Sequence, residues 1–317
     1  MSPNPKTFSV LTEEYLLFAR AELRFSPETL VKYRDCLKQI TRIIGDLEVV
    51  SLSKADVLRL RTDLVDRNLS VARQVSILLA LKGFLNYVRH EAGIDAFDPA
   101  EIRIPRRPRT EVAYLTAAEV ERFVNSIQLA SSRGRGAVVG LRFRALVETI
   151  LGSAMRISEV LSLNKIDIHF EHKEARIVGK GRKQRTVFFT DRALHWLKEY
   201  WQVRRDNHPA AFVTIDGSAR LSRDDIWRPF KDYERRSGIA KRVTPHLLRH
   251  TAATHLLFNG CPVGHIKEIL GHERLETTCR YYLGLDHRAA KAAHQLFLRY
   301  GDSGASADTT HSFTANK

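Results

Sequence analysis

Hydrophobic residues in the first hundred positions recur every three or four residues, which is the spacing of amphipathic helices. One run begins at Ser26 and Pro27, because serine caps a first turn and proline needs no amide partner there. Gly45 ends this run, whose members are Leu30, Tyr33, Leu37, Ile40 and Ile44. Similar patterns occupy residues 11–23, the stretch after Ser53 and Val71–His90. Residues 1–100 are therefore predicted to form a domain of about four helices.

Residues 101–113 differ in character from what precedes them and are predicted to form a linker. Pro105 and Pro108 hold this stretch extended, and it carries four arginines against two glutamates. An extended basic segment of this kind can lie along a phosphate backbone.

The second half begins with helical signals. Thr116 and Glu119 form a capping box at the start of one helix, and Leu141–Leu151 predicts a second helix that Gly152 would break. Helical spacing returns near the end of the chain, as far as Tyr300.

A strand-like region interrupts these helices. Alternating or β-branched residues predict strands at 166–170, 176–178 and 186–189, and Gly179–Gly181 lies between the last two, as in a hairpin or three-stranded sheet. The predicted fold class is mainly α (α+β), with a mostly helical domain and small antiparallel sheet over residues 114–300. The small, polar residues 301–317 are predicted to be a disordered tail.

Charge narrows the class of partner. The 317 residues include 51 Lys and Arg against 36 Asp and Glu, a net charge of +15 and an isoelectric point near 9.9. Such a balance favours a polyanion, either nucleic acid or acidic lipid. No stretch approaches the ~18–20 apolar residues of a membrane helix, and residues 1–6 lack the apolar run of a secretory signal. Three scattered cysteines rule out a disulfide scaffold and indicate a cytoplasmic protein.

Two segments of the second half hold clustered basic residues. In the first, Ser153 would cap a short helix with Arg156 in its first turn, a place that favours phosphate. The alternative is that Arg156 and Glu159 form only a surface ion pair. The second segment, residues 176–185, has five basic residues, no acid and two glycines. It lacks the spacing of a P-loop, and a solvated basic hairpin is the alternative interpretation.

Two later segments supply histidines and a tyrosine. Thr244 and Pro245 begin a helix on which His246, Arg249 and His250 share one face. The two histidines have metal-ligand spacing, but no third ligand is convincingly placed and Arg249 would repel a cation, so no metal site is predicted.

In the last segment, Gly271 resembles a helix C-cap that would fix the direction of His272. Tyr281, taken alone, is compatible with ordinary packing at a helix end. Together the four segments supply arginines, a lysine, histidines and a tyrosine, without the aspartate cluster of a Mg²⁺-dependent nuclease. This set is suited to moving a phosphodiester through a tyrosine nucleophile.

The ordered motifs are Arg156-x-x-Glu159, Gly179-Lys180-Gly181, His246-x-x-Arg249-His250, Leu270-Gly271-His272 and Thr277-Thr278-x-x-Tyr281. This pattern resembles the tyrosine recombinases, most closely their Xer-type and phage-integrase members. Each motif alone is weak, whereas the ordered set at family-like separations is highly specific. The likeness covers about residues 5–300, because the helical first half also resembles the family's core-binding, DNA-binding domain.

The resemblance implies a site-specific recombinase that cuts and rejoins DNA strands without metal, ATP or another cofactor. Tyr281 matches the nucleophile, which forms a 3′-phosphotyrosyl link and releases a 5′-hydroxyl. Arg156 and Arg249 match the pair that clamps the non-bridging phosphate oxygens. Lys180 matches the general acid that protonates the leaving 5′-oxygen.

The remaining matched positions have supporting roles in the family. His246 matches a histidine that assists proton transfer near the nucleophile, and His272 matches a His or Trp that hydrogen-bonds the phosphate. Glu159 is expected to orient the arginine helix without taking part in proton transfer. Contacts with DNA are expected from one arginine of the first domain and three basic residues of the hairpin: Arg73, Arg182, Lys183 and Arg185.

Two departures from the family pattern affect this interpretation. The family usually has Gly-Leu-Arg or Gly-Met-Arg where this chain has Ala154-Met155-Arg156, and the small alanine should preserve the close approach. Tyr282 follows Tyr281 where a threonine is common. Helical geometry separates neighbouring side chains by ~100°, so both tyrosines cannot face one phosphate, and the spacing from Thr277-Thr278 favours Tyr281.

The resemblance also predicts assembly on double-stranded DNA. Asp286–Tyr300 is predicted to be a helix with one apolar face, made of Ala289, Ala293, Leu296, Phe297 and Tyr300. In similar recombinases a C-terminal helix docks into the neighbouring protomer, which predicts a homotetramer on paired sites, associated with the nucleoid. The alternative is that this helix packs on its own domain.

Two other functions stay open at this point. A type IB topoisomerase would use a similar set of side chains as a monomer that relaxes supercoils. A DNA-binding protein without catalysis would place its charge on helices and use the tyrosine structurally. The complete set of six matched polar residues argues against the second alternative.

Overall fold

The chain divides into two compact units, residues 1–110 and 111–317. The computed structural model describes residues 6–106, 113–128, 135–178 and 184–271. The N-terminal unit contains four α-helices, as expected, within its described residues: α1 Phe8–Ala21, α2 Pro27–Ile44, α3 Lys54–Asp66 and α4 Val71–His90. Short 3₁₀ turns at Val49–Ser51 and Pro99–Glu101 complete it.

Local signals place the ends of these helices. The Ser26 hydroxyl accepts a hydrogen bond from the Thr29 amide at 3.3 Å, and Gly45 ends α2 with a φ of +93°. At the start of α3, Ser53 and Asp56 form a reciprocal capping box. Caps of this kind satisfy amides that a first helical turn leaves without partners, which is why they mark helix starts reliably.

The core of the N-terminal unit extends past the predicted boundary at residue 100. Ile102 is buried in it and Ile104 packs against it, together with apolar residues from α1 to α4. The extended stretch after the Pro99–Glu101 turn therefore belongs in part to this unit.

The C-terminal unit surrounds the long helix α6. Within the described residues its helices are α5 Ala117–Asn125, α6 Arg135–Ser153, α7 Ile157–Ser162, α8 Asp191–Val203, α9 Asp224–Ser237, α10 Pro245–Phe258 and α11 Val263–Leu270. Helix α6 packs against α8 and α10, and nearly every described side chain after its first turn is buried or half-buried. The predicted capping box at Thr116 and Glu119 is present at the start of α5.

A three-stranded antiparallel sheet lies between α7 and α8, confirming the mainly α (α+β) class. Its strands are β1 Ile168–His169, β2 Glu174–Val178 and β3 Gln184–Phe188, in the order β1-β2-β3. Ala175 pairs with Val187, and both side chains are buried against the unit's core. The glycine-rich loop, residues 179–183, lies outside the described residues.

The expectation that Gly152 ends α6 is wrong, because α6 continues through Gly152 to Ser153. A Cβ at Gly152 would collide with the Thr190 hydroxyl, so the glycine permits close packing against the start of α8. Ser153 does not cap α7 either. Its hydroxyl donates back to the Thr149 carbonyl at 2.5 Å, and Arg156 occupies the N-cap position of α7.

The connection from α8 to α9 is organised around Arg204. Only 1% of its side chain is exposed, because the guanidinium donates to Asp206 and to the carbonyls of His208, Ala210 and Ala211.

None of the helices within the described ranges is long and apolar enough to span a membrane. The predicted helix Asp286–Tyr300 and the tail 301–317 lie outside the described residues.

Candidate active site

Arg156 and Glu159 form an ion pair at the start of α7. The Arg156 amide donates to Glu159 Oε2 at 2.8 Å, and its guanidinium Nη1 donates to Oε1 at 2.9 Å. The second guanidinium nitrogen, Nη2, donates to the Gly271 carbonyl at 3.2 Å. Glu159 keeps only 7% of its side chain exposed and Arg156 keeps 35%. The pair therefore differs from an ordinary surface ion pair in having a buried carboxylate.

Arg249 approaches the same carboxylate from α10 and is 5% exposed. Its Nη1 donates to the Ala154 carbonyl at 2.8 Å, and its Nη2 donates to the Leu270 carbonyl at 2.6 Å. Nη1 also lies 3.8 Å from Glu159 Oε2. Arg249 thereby connects α10 with the turn before α7 and with the end of α11.

A third guanidinium, that of Arg185 on β3, completes the cluster. Its Nη2 donates to Glu159 Oε2 at 2.9 Å, and its Nη1 donates to the Ile269 carbonyl at 2.8 Å. The side chain is 16% exposed. Arg156, Glu159, Arg185 and Arg249 are called the arginine cluster below.

The C-terminus of α11 accepts hydrogen bonds from all three arginines. Each guanidinium donates to a different backbone carbonyl: Arg185 to Ile269, Arg249 to Leu270 and Arg156 to Gly271. These carbonyls carry the partial negative charge of a helix end, which offsets part of the repulsion among the cations. Gly271 has a φ of +61° and ends α11 in the left-handed conformation, confirming the predicted C-cap.

The arginine cluster has more positive than negative charge. Among the described residues, three guanidiniums face one carboxylate, which leaves two formal positive charges. Burial alone would raise the pKa of Glu159, but the bond from the Arg156 amide and the charges of Arg185 and Arg156 hold that pKa below its usual range. Glu159 is therefore ionised at neutral pH, and the excess positive charge suits a phosphate group.

Two histidines of α10 lie beside the cluster. Desolvation lowers the pKa of His246, and the charges of Arg249, Arg223 and Arg156 lower it further. Desolvation also lowers the pKa of His250, with smaller effects from His246 and Arg249. Both imidazoles are therefore neutral at neutral pH, the form that can accept a proton. No group of three His, Cys, Asp or Glu side chains suited to a metal occurs within the described ranges.

Comparison with known proteins agrees with this geometry. Residues 113–288 match the model of the phage integrase family. The chain is 30% identical over 300 residues to the tyrosine recombinase XerC of Proteus mirabilis, covering 92% of this chain and 95% of that protein. The chain belongs to the phage integrase family. It is thus a member of the site-specific tyrosine recombinases, as its motifs indicate.

Solved structures of recombinases share the fold. The XerH recombinase bound to a palindromic difH substrate has a TM-score of 0.70 at 22% identity, covering 90% of this chain and 84% of that one. The Tn1549 transposon integrase bound to a circular-intermediate DNA has a TM-score of 0.71 at 19% identity, covering 89% of this chain and 98% of that one.

The structure brings together three of the residues predicted for the recombinase site. Arg156, Glu159 and Arg249 converge in the arginine cluster, with His246 beside it. Lys180, Arg182, Lys183, His272 and Tyr281 lie outside the described residues.

Two residues predicted to contact DNA have described side chains. In the N-terminal unit, the Arg73 guanidinium donates to the Gln39 side chain at 3.0 Å and lies 3.5 Å from the Cys36 sulfur. Arg185 is expected at the DNA as part of the hairpin, and its guanidinium is instead directed into the arginine cluster. A DNA contact by either residue stays a prediction.

The left-handed backbone conformation of Ala154 is not predicted in the sequence analysis, although the glycine that the family usually has at this position is a signal for it. Ala154 has a φ of +54°, in the left-handed region that costs a non-glycine residue about 1–2 kcal/mol. This conformation lies between the end of α6 and the start of α7, where the Ala154 carbonyl accepts from Arg249. The site therefore needs a left-handed residue as well as a small one.

Proposed function

We propose that this recombinase cleaves and rejoins duplex DNA through a 3′-phosphotyrosyl intermediate formed by Tyr281. The tyrosine oxygen attacks phosphorus, the bond from phosphorus to the 5′-oxygen breaks, and that oxygen leaves as a hydroxyl after taking a proton. Rejoining runs the same steps in reverse with a 5′-hydroxyl from the partner strand. Because one phosphodiester is exchanged for another, the cycle needs no external energy source.

The observation that carries this proposal is the arginine cluster and its surplus of positive charge. The phosphoryl group accumulates negative charge on its non-bridging oxygens in the transition state, and preorganised guanidiniums stabilise that charge. Arg156 and Arg249 have the roles of clamping these oxygens. Glu159 orients Arg156, since its two oxygens accept from the amide and the guanidinium of that one residue.

The two proton transfers of the reaction are assigned to two different residues. Lys180 is the general acid for the leaving 5′-oxygen, and His246 assists proton transfer at the nucleophile. The lowered pKa of His246 supports this role, because a neutral imidazole can take the tyrosine proton at neutral pH. His272 donates a hydrogen bond to the phosphate.

The test uses duplexes selected from genomic DNA by the immobilised protein and mapped by footprinting. A nick near the cleavage point lets the short released strand diffuse away, so that the covalent complex accumulates. A 5′-labelled strand should become linked to protein and resist denaturation, and the released fragment should have a free 5′-hydroxyl. Absence of any such complex, or linkage to the other end, would contradict the proposal.

A type IB topoisomerase is the alternative that uses a similar set of side chains. The family match and the likeness to a XerC recombinase over nearly the whole chain support recombination instead. Relaxation of a site-free plasmid at rates comparable to cleavage at the selected sites would favour the topoisomerase.

Assembly is proposed to be a homotetramer on two paired DNA sites, located at the nucleoid, with Asp286–Tyr300 docking into the neighbouring protomer. Deleting every residue after Leu285 is expected to abolish cooperative complexes with paired sites, because the apolar face would be lost. Binding to a single half-site should persist. Electrophoretic mobility shifts with one and two half-sites measure both effects.

The matched control is a truncation after Tyr300, which removes only residues 301–317 and should leave cooperativity unchanged. If the longer deletion leaves both cleavage and cooperative assembly intact, the helix does not couple protomers.

A further inference from the structure

We propose that Arg185 is a positioning residue for strand transfer. It fixes the Glu159 carboxylate and, through that carboxylate, the Arg156 guanidinium. This role rests on the proposed function, because it concerns the phosphate clamp of that reaction. It also differs from the DNA-backbone contact that the basic hairpin suggests for Arg185.

The two carboxylate oxygens of Glu159 are used differently. Oε1 accepts from the Arg156 guanidinium at 2.9 Å, while Oε2 accepts from the Arg156 amide at 2.8 Å and from Arg185 Nη2 at 2.9 Å. Rotation of the carboxylate that moves Oε2 also moves Oε1. Arg185 therefore holds Oε2 in place, and this fixes Oε1, the oxygen that directs the Arg156 guanidinium.

Arg185 is itself held from a second side. Its Nη1 donates to the Ile269 carbonyl at the end of α11, so one planar guanidinium spans β3, α7 and α11. A lysine has a single ammonium on a flexible stem and cannot reproduce this two-sided contact in a fixed plane. Charge alone does not account for an arginine here.

Gly271 provides the space in which this guanidinium lies. A Cβ at Gly271 would come within 2.6 Å of Arg185 Nε and 2.8 Å of its Cδ. Nε is buried and has no hydrogen-bond partner within the described part of the chain. The close approach of Gly271 on this side limits where the guanidinium can lie, which fits a requirement for position.

Arg185 also takes up part of the negative charge of Glu159 that Arg156 would otherwise neutralise. Without it, the carboxylate would be neutralised mainly by Arg156, with Arg249 Nη1 at 3.8 Å. Arg156 would then be bound more tightly to Glu159 and be less available to a phosphate. With Arg185 present, the cluster keeps the surplus of positive charge that the clamp requires.

The main test is Arg185→Lys, studied by single-turnover cleavage of the nicked duplex at saturating protein. We expect the cleavage rate to fall by about tenfold to a hundredfold, the cost typical of residues that orient metal ligands through a hydrogen bond. The Kd for DNA and the slope of log Kd against log salt concentration should not change, because the side chain faces the cluster.

A double-mutant cycle with Glu159→Gln shows whether Arg185 acts through the carboxylate. If it does, the loss caused by Arg185→Lys should shrink when Gln already occupies position 159. Gly271→Ala supplies a second approach, because the added Cβ displaces the guanidinium while every charged group is kept. It should lower the cleavage rate without weakening DNA binding, even if Arg185→Lys folds poorly. Gly238→Ala strains an equally left-handed helix end at a φ of +62°, with nothing within 4 Å of the added Cβ, and should leave the rate unchanged.

The matched control is Arg204→Lys, which removes a buried guanidinium that binds carbonyls away from the cluster. Its cleavage rate per folded molecule should equal that of the wild type. If Arg185→Lys behaves in the same way, its role is only structural. A weaker Kd with a salt slope reduced by about one would identify a phosphate contact instead. If the wild type forms no covalent complex, the proposed function fails and this role fails with it.

Discussion

Tyr281→Phe is expected to abolish covalent DNA complexes, whereas Tyr282→Phe should form them at nearly the wild-type level. Phenylalanine keeps the ring and its packing but removes the oxygen that attacks phosphorus. Loss of the nucleophile lowers the rate of such a reaction by about 10⁴-fold or more. Covalent complexes with the labelled, nicked duplex, separated on a denaturing gel, measure the effect directly.

The pair of tyrosines provides its own control. The sequence predicts a helix at these positions, on which adjacent side chains point ~100° apart. Substituting Tyr282 should therefore change the local surroundings without removing an oxygen that faces the same phosphate. Both variants should bind the selected DNA with the wild-type Kd. Persistence of covalent complexes in Tyr281→Phe and their loss in Tyr282→Phe would reverse the assignment of the nucleophile.

Helix boundaries are predictable from the sequence wherever they depend on neighbouring residues. Helix α4 begins at Val71 and ends at His90 as the hydrophobic spacing indicates, and Ser26 with Pro27 begins α2. Caps and periodicity act within one or two turns, so the sequence alone shows them. The helix end predicted at Gly152 is wrong, because this glycine is needed for close packing against Thr190, which is distant in sequence.

The same distinction applies to the active site. The ordered motifs are enough to assign Arg156, Glu159 and Arg249 to one site, because each motif contains its own functional residue. They do not reveal that Arg185 belongs to the cluster, because its partners Glu159 and Ile269 lie 26 and 84 residues away along the chain. A basic hairpin indicates a DNA-binding surface, and only the tertiary fold shows that one of its side chains turns inward.

Arg249→Lys is the second substitution with a large expected effect. A lysine keeps one positive charge, but its ammonium cannot bind the Ala154 and Leu270 carbonyls and a phosphate oxygen in the fixed plane of a guanidinium. We expect the single-turnover cleavage rate to fall about 10²- to 10³-fold, the usual cost of removing one preorganised donor to a developing anion. The Kd for DNA should change little, because this interaction strengthens mainly in the transition state, when negative charge builds up on the phosphate oxygens.

Stability separates this catalytic loss from unfolding. At least one buried carbonyl loses its donor in Arg249→Lys, so the free energy of unfolding should fall by about 1–3 kcal/mol, measured by urea denaturation. Arg142→Lys is the matched control, because Arg142 is also buried and donates to the Val213 carbonyl at 2.8 Å. Both variants should lose stability, but only Arg249→Lys should lose cleavage among its folded molecules. Equal cleavage by the two variants would mean that Arg249 supports the fold and does not clamp the phosphate.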